Sequence, residues 1–156
     1  MPWLLLALRS LAIVAYAVWV GGFTFYGLAV IPILHDELDR LQAGQITQRV
    51  TDWLNLIGLG TILLWWVLAW AERRNGGTSA RCFRIGLLAI STLLLAFLAV
   101  DHEILDDRLA RYGLEGFYER HRVYLIASTA QWVVNLGMIP VTLLIWKGTP
   151  DERRTS

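Results

Sequence analysis

Hydrophobic and polar residues are separated into long blocks along this chain. Short segments rich in charge divide four apolar stretches, which lie at about residues 10–34, 53–71, 82–100 and 123–146. A helix needs roughly 20 apolar residues to cross a hydrocarbon core about 30 Å thick, and each stretch meets or approaches that length. The pattern predicts an all-α integral membrane four-helix bundle with antiparallel, up-down topology, built as one domain over residues 1–156.

The third helix is predicted to extend beyond its apolar stretch. Leu105 and Leu109 keep helical spacing in a segment that is otherwise rich in charge, so this helix is expected to continue to about Gly113. Short connections between the spans are predicted at about 36–52, 72–81 and 101–122, and a disordered tail is predicted at 147–156.

Composition agrees with a membrane protein and excludes several classes of function. Of the 156 residues, 56% are hydrophobic and 17% are charged, whereas soluble domains carry about 25% charged residues. The lipid bilayer is therefore the expected partner. A formal net charge of +1 gives no basis for nucleic-acid binding. The single cysteine excludes an intramolecular disulfide, and with it the chemistry of membrane thiol oxidases that need a Cys-x-x-Cys pair.

Up-down topology divides the charged residues between two sides of the membrane. Side A, which holds both termini, carries eight of the 14 Lys and Arg residues, and side B carries the other six. Because cytoplasmic segments are enriched in Lys and Arg, this bias predicts that both termini lie in the cytoplasm, as in a multi-pass protein of the inner (plasma) membrane. Aromatic belts are expected at Trp3, Trp70 and Trp146 on side A and at Trp53 on side B.

Three histidines, His35, His102 and His121, lie at the ends of different apolar stretches and share side B in this topology. Together with Glu103 and Asp106, their imidazoles would suit a divalent metal, and two facing histidines would suit haem iron. The spacing matches neither His-Glu-x-x-His nor Glu-x-x-His. Hydrogen bonding to nearby acids is therefore the competing interpretation of these histidines.

The fourth apolar stretch carries a polar stripe on one helical face. His121, Tyr124, Ser128, Gln131 and Asn135 follow one another at spacings of three and four residues, and the cost of placing polar groups in lipid predicts that this face is turned inward. One interpretation is hydrogen bonding between helices. The other is a polar lining that leads from side B to a ligand or ion pocket, with the second helix contributing one further polar residue, Asn55.

Small residues in the first two helices predict close helix packing. Gly21 and Gly22 let another backbone approach, and Gly58 and Gly60 are their expected counterparts. Pro32 is expected to kink the first helix near its end and to turn His35 inward.

The first helix carries Val18-Trp19-Val20-Gly21-Gly22-Phe23-Thr24-Phe25-Tyr26, followed by Val30-Ile31-Pro32. This run resembles the first helix of the bacterial relatives of transmembrane protein 205, which are small four-helix membrane proteins of unknown function. Gly44-Gln45-Ile46-Thr47 and Phe117-Tyr118-Glu119-Arg120-His121 are similar to later segments of that family. The chain departs from the family at His35-Asp36, where an aromatic residue commonly follows the proline. The resemblance implies a four-helix membrane fold and no particular activity.

Three functions remain open from the sequence. The leading interpretation is a multi-pass membrane protein, not an enzyme, with a polar, histidine-bearing pocket on its outer face for ligand or ion binding, sensing or assembly. The partner in assembly would be a membrane protein or a second copy in a homo-oligomer. The alternative is a metal- or haem-dependent membrane enzyme that uses His35, His102 and His121. A small transporter is the third, which the lack of a charged residue deep in any apolar stretch disfavours.

Overall fold

In a computed structural model, the protein is described at residues 2–73, 78–112 and 117–147, with side chains at 3–39, 42–73, 78–105 and 121–147. Within these ranges every residue is helical except for short breaks at 38–39 and 72–73. The elements are α1 (Pro2–Phe25), a π-helical turn (Tyr26–Val30), α2 (Ile31–Glu37), α3 (Arg40–Ala71), α4 (Thr78–Tyr112) and α5 (Phe117–Lys147).

The described chain contains four helical segments that are long and apolar enough to cross a membrane. They are Trp3–Glu37, Gln42–Ala71, Thr78–Leu105 and His121–Lys147. The predicted all-α class with four long apolar helices is confirmed, and the protein is a candidate four-span membrane bundle. The predicted extension of the third helix is also confirmed, since α4 continues to Tyr112.

Most of the predicted connection at 36–52 is helical, because α3 already begins at Arg40. The side chain of Asp39 supplies the start signal: its Oδ1 accepts a hydrogen bond from the backbone N–H of Gln42, 2.9 Å away. An aspartate that caps the first free N–H groups stabilises a helix start. The polar first turns of α3 therefore form a helix although they lack an apolar block.

The first span is longer than predicted and contains an irregular turn. It starts at Pro2, and its regular α-helix ends at Phe25, where the five-residue π-helical turn begins. Pro32 lies in the first turn of α2 directly afterwards. Because proline has no N–H group and its ring crowds the preceding turn, regular α-helical bonding is interrupted just before it. The irregularity before Pro32 is thus a π-helical turn. The kink stays a prediction, and His35, which was expected to turn inward, is exposed.

The chain divides into two compact units, a first unit at Met1–Trp65 and a second unit at Trp66–Ser156. In the first unit, α1 packs against α3 through aromatic side chains. The indole Nε1 of Trp65 donates to the carbonyl oxygen of Ala12 at 3.2 Å. The Tyr16 and Trp65 rings meet edge to face, with centroids 5.7 Å apart. These contacts give α1 and α3 a fixed register along each other.

In the second unit, α4 and α5 pack antiparallel along a surface called here the α4–α5 seam. Buried positions recur at intervals of three and four residues on both helices, as in coiled coils. They are Arg84, Leu88, Ser91, Leu95, Leu98, His102 and Leu105 on α4, and Ser128, Gln131, Asn135, Met138, Thr142 and Ile145 on α5. The seam is therefore polar at its ends and near its middle and apolar between them.

Candidate functional site

A buried chain of hydrogen bonds joins α4 to α5 near the middle of the seam. The amide Nε2 of Gln131 donates to Ser91 Oγ at 2.8 Å, and Ser91 Oγ donates to Asn135 Oδ1 at 2.8 Å. Each of these three side chains is less than 5% exposed. The stripe is turned inward here, as its polarity requires, and its amides bond across the helix interface. Ser91 is the hub of this network, and no sequence pattern distinguishes it within the apolar block of α4.

Replacing Ser91 with alanine removes the shared hydroxyl and leaves two buried amides without it. Hydrogen bonds between helices in membranes contribute about 0.6 kcal/mol on average and up to about 1.7 kcal/mol. We therefore expect Ser91→Ala to lower the free energy of unfolding by about 1–2 kcal/mol, measured by denaturation in detergent micelles. Thr129→Ala is the control, because the exposed Thr129 hydroxyl donates to a carbonyl of its own helix. Equal stability of the two variants would contradict the network's role.

The histidine end of the seam gathers two imidazoles around one tyrosine. The ring centroids of His102 and Tyr124 lie 6.0 Å apart, and those of His121 and Tyr124 lie 6.4 Å apart in nearly parallel planes. His102 is 8% exposed and its neighbour Asp101 is 2% exposed. His121 and Tyr124 are half-buried. Antiparallel packing of α4 and α5 thus brings together two of the three histidines, which lie 19 residues apart in sequence.

The other predicted ligand residues are exposed or have side chains outside the described residues. His35 and Glu103 are exposed, and the side chain of Asp106 lies outside the described residues. His35 and the half-buried Asn55 belong to the first unit, so their approach to the α5 stripe stays a prediction. Among the side chains that the structure describes, no group of three or more His, Cys, Asp or Glu residues is placed to hold a metal ion.

At the other end of the seam, a buried ion pair joins α4 to the residue that follows α3. Arg84 Nη1 and Glu72 Oε2 are 2.6 Å apart, and these side chains are 2% and 0% exposed. The indole Nε1 of Trp146 donates to Glu72 Oε1 at 2.9 Å. Glu72 thereby connects the end of α3 to α4 and α5. Trp146, which was expected in an aromatic belt, is half-buried and acts as a hydrogen-bond donor inside the unit.

Of the four glycines expected at helix contacts, Gly58 alone leaves too little space for a Cβ atom. A Cβ atom added at Gly58 would lie 2.5 Å from the ring of Trp19, whereas one at Gly22 would meet only Leu54, at 3.6 Å. Gly21 and Gly60 have no such neighbour within 4 Å. The close approach in the first unit is therefore between the α3 backbone and an indole ring.

Comparison with known families identifies the chain by its first three spans. Residues 14–102 match the model of a family described as a domain of unknown function, DUF4149. The chain belongs to this family. No curated protein and no solved structure matches it significantly.

The DUF4149 match includes His102 but not Tyr124 or His121. It runs from Val14 in α1 to His102 in α4. His35 and Ser91 fall within it, whereas α5, with its polar stripe, follows the matched residues. The membership therefore assigns no activity to the seam, and the multi-pass membrane architecture rests on the four long apolar helices.

Proposed function

We propose that this DUF4149 protein is a ligand-binding membrane protein that takes a small cation at the histidine end of the α4–α5 seam. The observation that carries the proposal is the pair of imidazoles, His102 and His121, placed against the single ring of Tyr124. Imidazole nitrogen is a common ligand of Zn²⁺ and of other first-row divalent ions. Asp106, one helical turn beyond His102 on α4, is the carboxylate proposed to complete the set.

Burial at this end supports a specific site over a solvated helix end. His102 and Asp101 are both less than 9% exposed, whereas side chains at a solvated helix end are open to water. Tyr124 and Ser128 continue the polar surface from the imidazoles toward the hydrogen-bonded amides. A cation held here would have polar groups of both α4 and α5 around it, so its binding would be coupled to the packing of the two helices.

The proposal also covers the family relationship of the chain and its orientation in the membrane. We propose that the chain is related to the bacterial relatives of transmembrane protein 205, on the Trp-x-Gly-Gly and Pro32 segments of its first span. We further propose that it lies in the bacterial inner membrane with the histidine end outside, on the bias of Lys and Arg between the two sides. Binding at that end would serve sensing, or assembly with a membrane partner or a second copy.

The test uses Zn²⁺ as probe on the full-length protein in mild detergent. We expect Zn²⁺ to raise the apparent melting temperature of the wild type and of His35→Ala, but not that of His102→Ala or His121→Ala. The matched control is informative because His35 is exposed and lies in the first unit. If His35→Ala also loses the response, all three histidines form the site, as the sequence first suggested.

Two further outcomes contradict the proposed binding function. An absorption band near the Soret wavelength that disappears in His102→Ala would replace it with the haem-dependent alternative. A wild type that is neither stabilised by Zn²⁺ nor coloured would mean that the polar seam serves helix packing alone.

A further inference from the structure

The connection between α3 and α4 gathers arginines at the end of the second unit that is distant from His102 and His121. Arg84 precedes His102 by 18 residues on the same helix, a separation of about 27 Å. Around this end lie Arg73, which follows α3, and Arg81, in the first turns of α4. This end is therefore a separate region of the second unit, which the proposed cation site does not use.

The arginines are held in place by specific contacts. The guanidinium of Arg73 lies 4.5 Å from the ring centroid of Trp70. Arg81 Nη1 donates to the carbonyl oxygen of Arg73, and its Nη2 donates to Thr78 Oγ1 at 3.4 Å. Arg81 thus closes the connection by joining the first turns of α4 to the residue after α3. Because a guanidinium fixed by such bonds has lost part of its freedom already, it binds an anion at a lower entropic cost.

The charges of this cluster are not balanced by the described residues. Glu72 is the carboxylate in the cluster, and its two oxygens accept from Arg84 and from Trp146. The Nε atoms of Arg81 and Arg84 are both buried, and neither has an acceptor among the described residues. Buried N–H donors without an acceptor are rare and costly. Among the described residues, the cluster therefore combines three arginines and one carboxylate with two guanidinium Nε donors for which no acceptor is described.

We propose that this arginine cluster binds the phosphate group of an anionic phospholipid. Guanidinium groups match phosphate oxygens in geometry and charge, and basic sites at the ends of membrane helices bind anionic headgroups. Trp70 is 68% exposed beside the cluster, and such tryptophans lie at the level of the headgroups. Arg73 and Arg81 would hold the phosphate, while Arg84 stays paired with Glu72 and keeps α4 in position.

The experiment compares lipids retained by the full-length protein from mixed phosphatidylglycerol and phosphatidylcholine bilayers, measured by native mass spectrometry. We expect the wild type to enrich phosphatidylglycerol, and each of Arg81→Gln and Arg73→Gln to reduce the enrichment about fivefold, the effect of about 1 kcal/mol per arginine near a membrane surface. Arg122→Gln is the matched control, since this exposed arginine lies at the histidine end. Arg73→Gln alters an exposed side chain and serves if Arg81→Gln fails to fold.

The remaining outcomes distinguish lipid from free phosphate. Inorganic phosphate at millimolar concentration that binds the wild type in place of lipid, with no preference for phosphatidylglycerol, would overturn the lipid assignment. Enrichment that is unchanged in Arg81→Gln and Arg73→Gln would overturn the site itself. A loss that is equally large in Arg122→Gln would also overturn it, because the attraction would then depend on net charge alone.

Discussion

Glu72→Ala is expected to lower the free energy of unfolding by about 3–5 kcal/mol, the typical effect of breaking a buried ion pair from one side. The carboxylate is fully buried, and its removal leaves the Arg84 guanidinium, which is 2% exposed, without its counter-charge. The Trp146 indole loses its acceptor in the same variant. Three helices therefore lose their common contact at once. Denaturation in detergent micelles, followed by circular dichroism, measures the effect.

The control for Glu72→Ala is Glu103→Ala, because Glu103 is an exposed acid of the same unit. Substitution of a surface residue away from such contacts changes stability by less than about 0.5 kcal/mol. The double variant Glu72→Leu, Arg84→Met separates the cost of an orphaned charge from the value of the pair. Because it leaves no buried charge, it is expected to be more stable than Glu72→Ala. A Glu72→Ala protein as stable as Glu103→Ala would contradict the stabilising role of the buried ion pair.

The architecture was predictable because it follows from one physical requirement. A span must be apolar over the thickness of the hydrocarbon core, and the four blocks display this requirement directly in the sequence. The boundaries were less predictable, because a helix that continues outside the membrane no longer needs apolar residues. The start of α3 after Asp39 shows this limit: a capping aspartate was present, but no apolar block accompanied it.

The polar contacts were predictable on one helix and not on its partner. The α5 stripe is evident from its spacing, whereas its partner Ser91 is a single polar residue in the apolar block of α4. Such a residue satisfies its hydroxyl either on its own helix or across an interface, and only the packing of α4 on α5 decides which.

The charged contacts were the least predictable part. Glu72 and Arg84 are separated by 12 residues and lie at the ends of their spans, so no sequence pattern indicated that they pair. Their pairing depends on the turn between α3 and α4, which the sequence describes only as short and polar. For the histidines, the sequence indicated a shared side, and the structure brings His102 and His121 to one tyrosine. The inclusion of His35 stays a prediction.

Gly58→Ala is expected to destabilise the protein although alanine is the better helix former. An added Cβ atom at this position would lie 2.5–2.6 Å from three atoms of the Trp19 indole, well inside the ordinary van der Waals distance of about 3.5–4.0 Å between carbon atoms. Overpacking of this kind costs about 1–3 kcal/mol. The higher helix propensity of alanine offsets about 1 kcal/mol of this cost. The free energy of unfolding, measured in micelles, is therefore expected to fall by up to about 2 kcal/mol.

The indole is unable to give way cheaply, because Trp19 is 5% exposed and its ring is a rigid plane. Gly60→Ala provides the matched control on the same helix, since no atom lies within 4 Å of the added Cβ there. It is expected to be neutral or stabilising. A double variant, Gly58→Ala with Trp19→Leu, removes the clash and is expected to be more stable than the sum of the two single changes predicts. Additive effects of the two substitutions would contradict a close contact between the Gly58 backbone and the Trp19 ring.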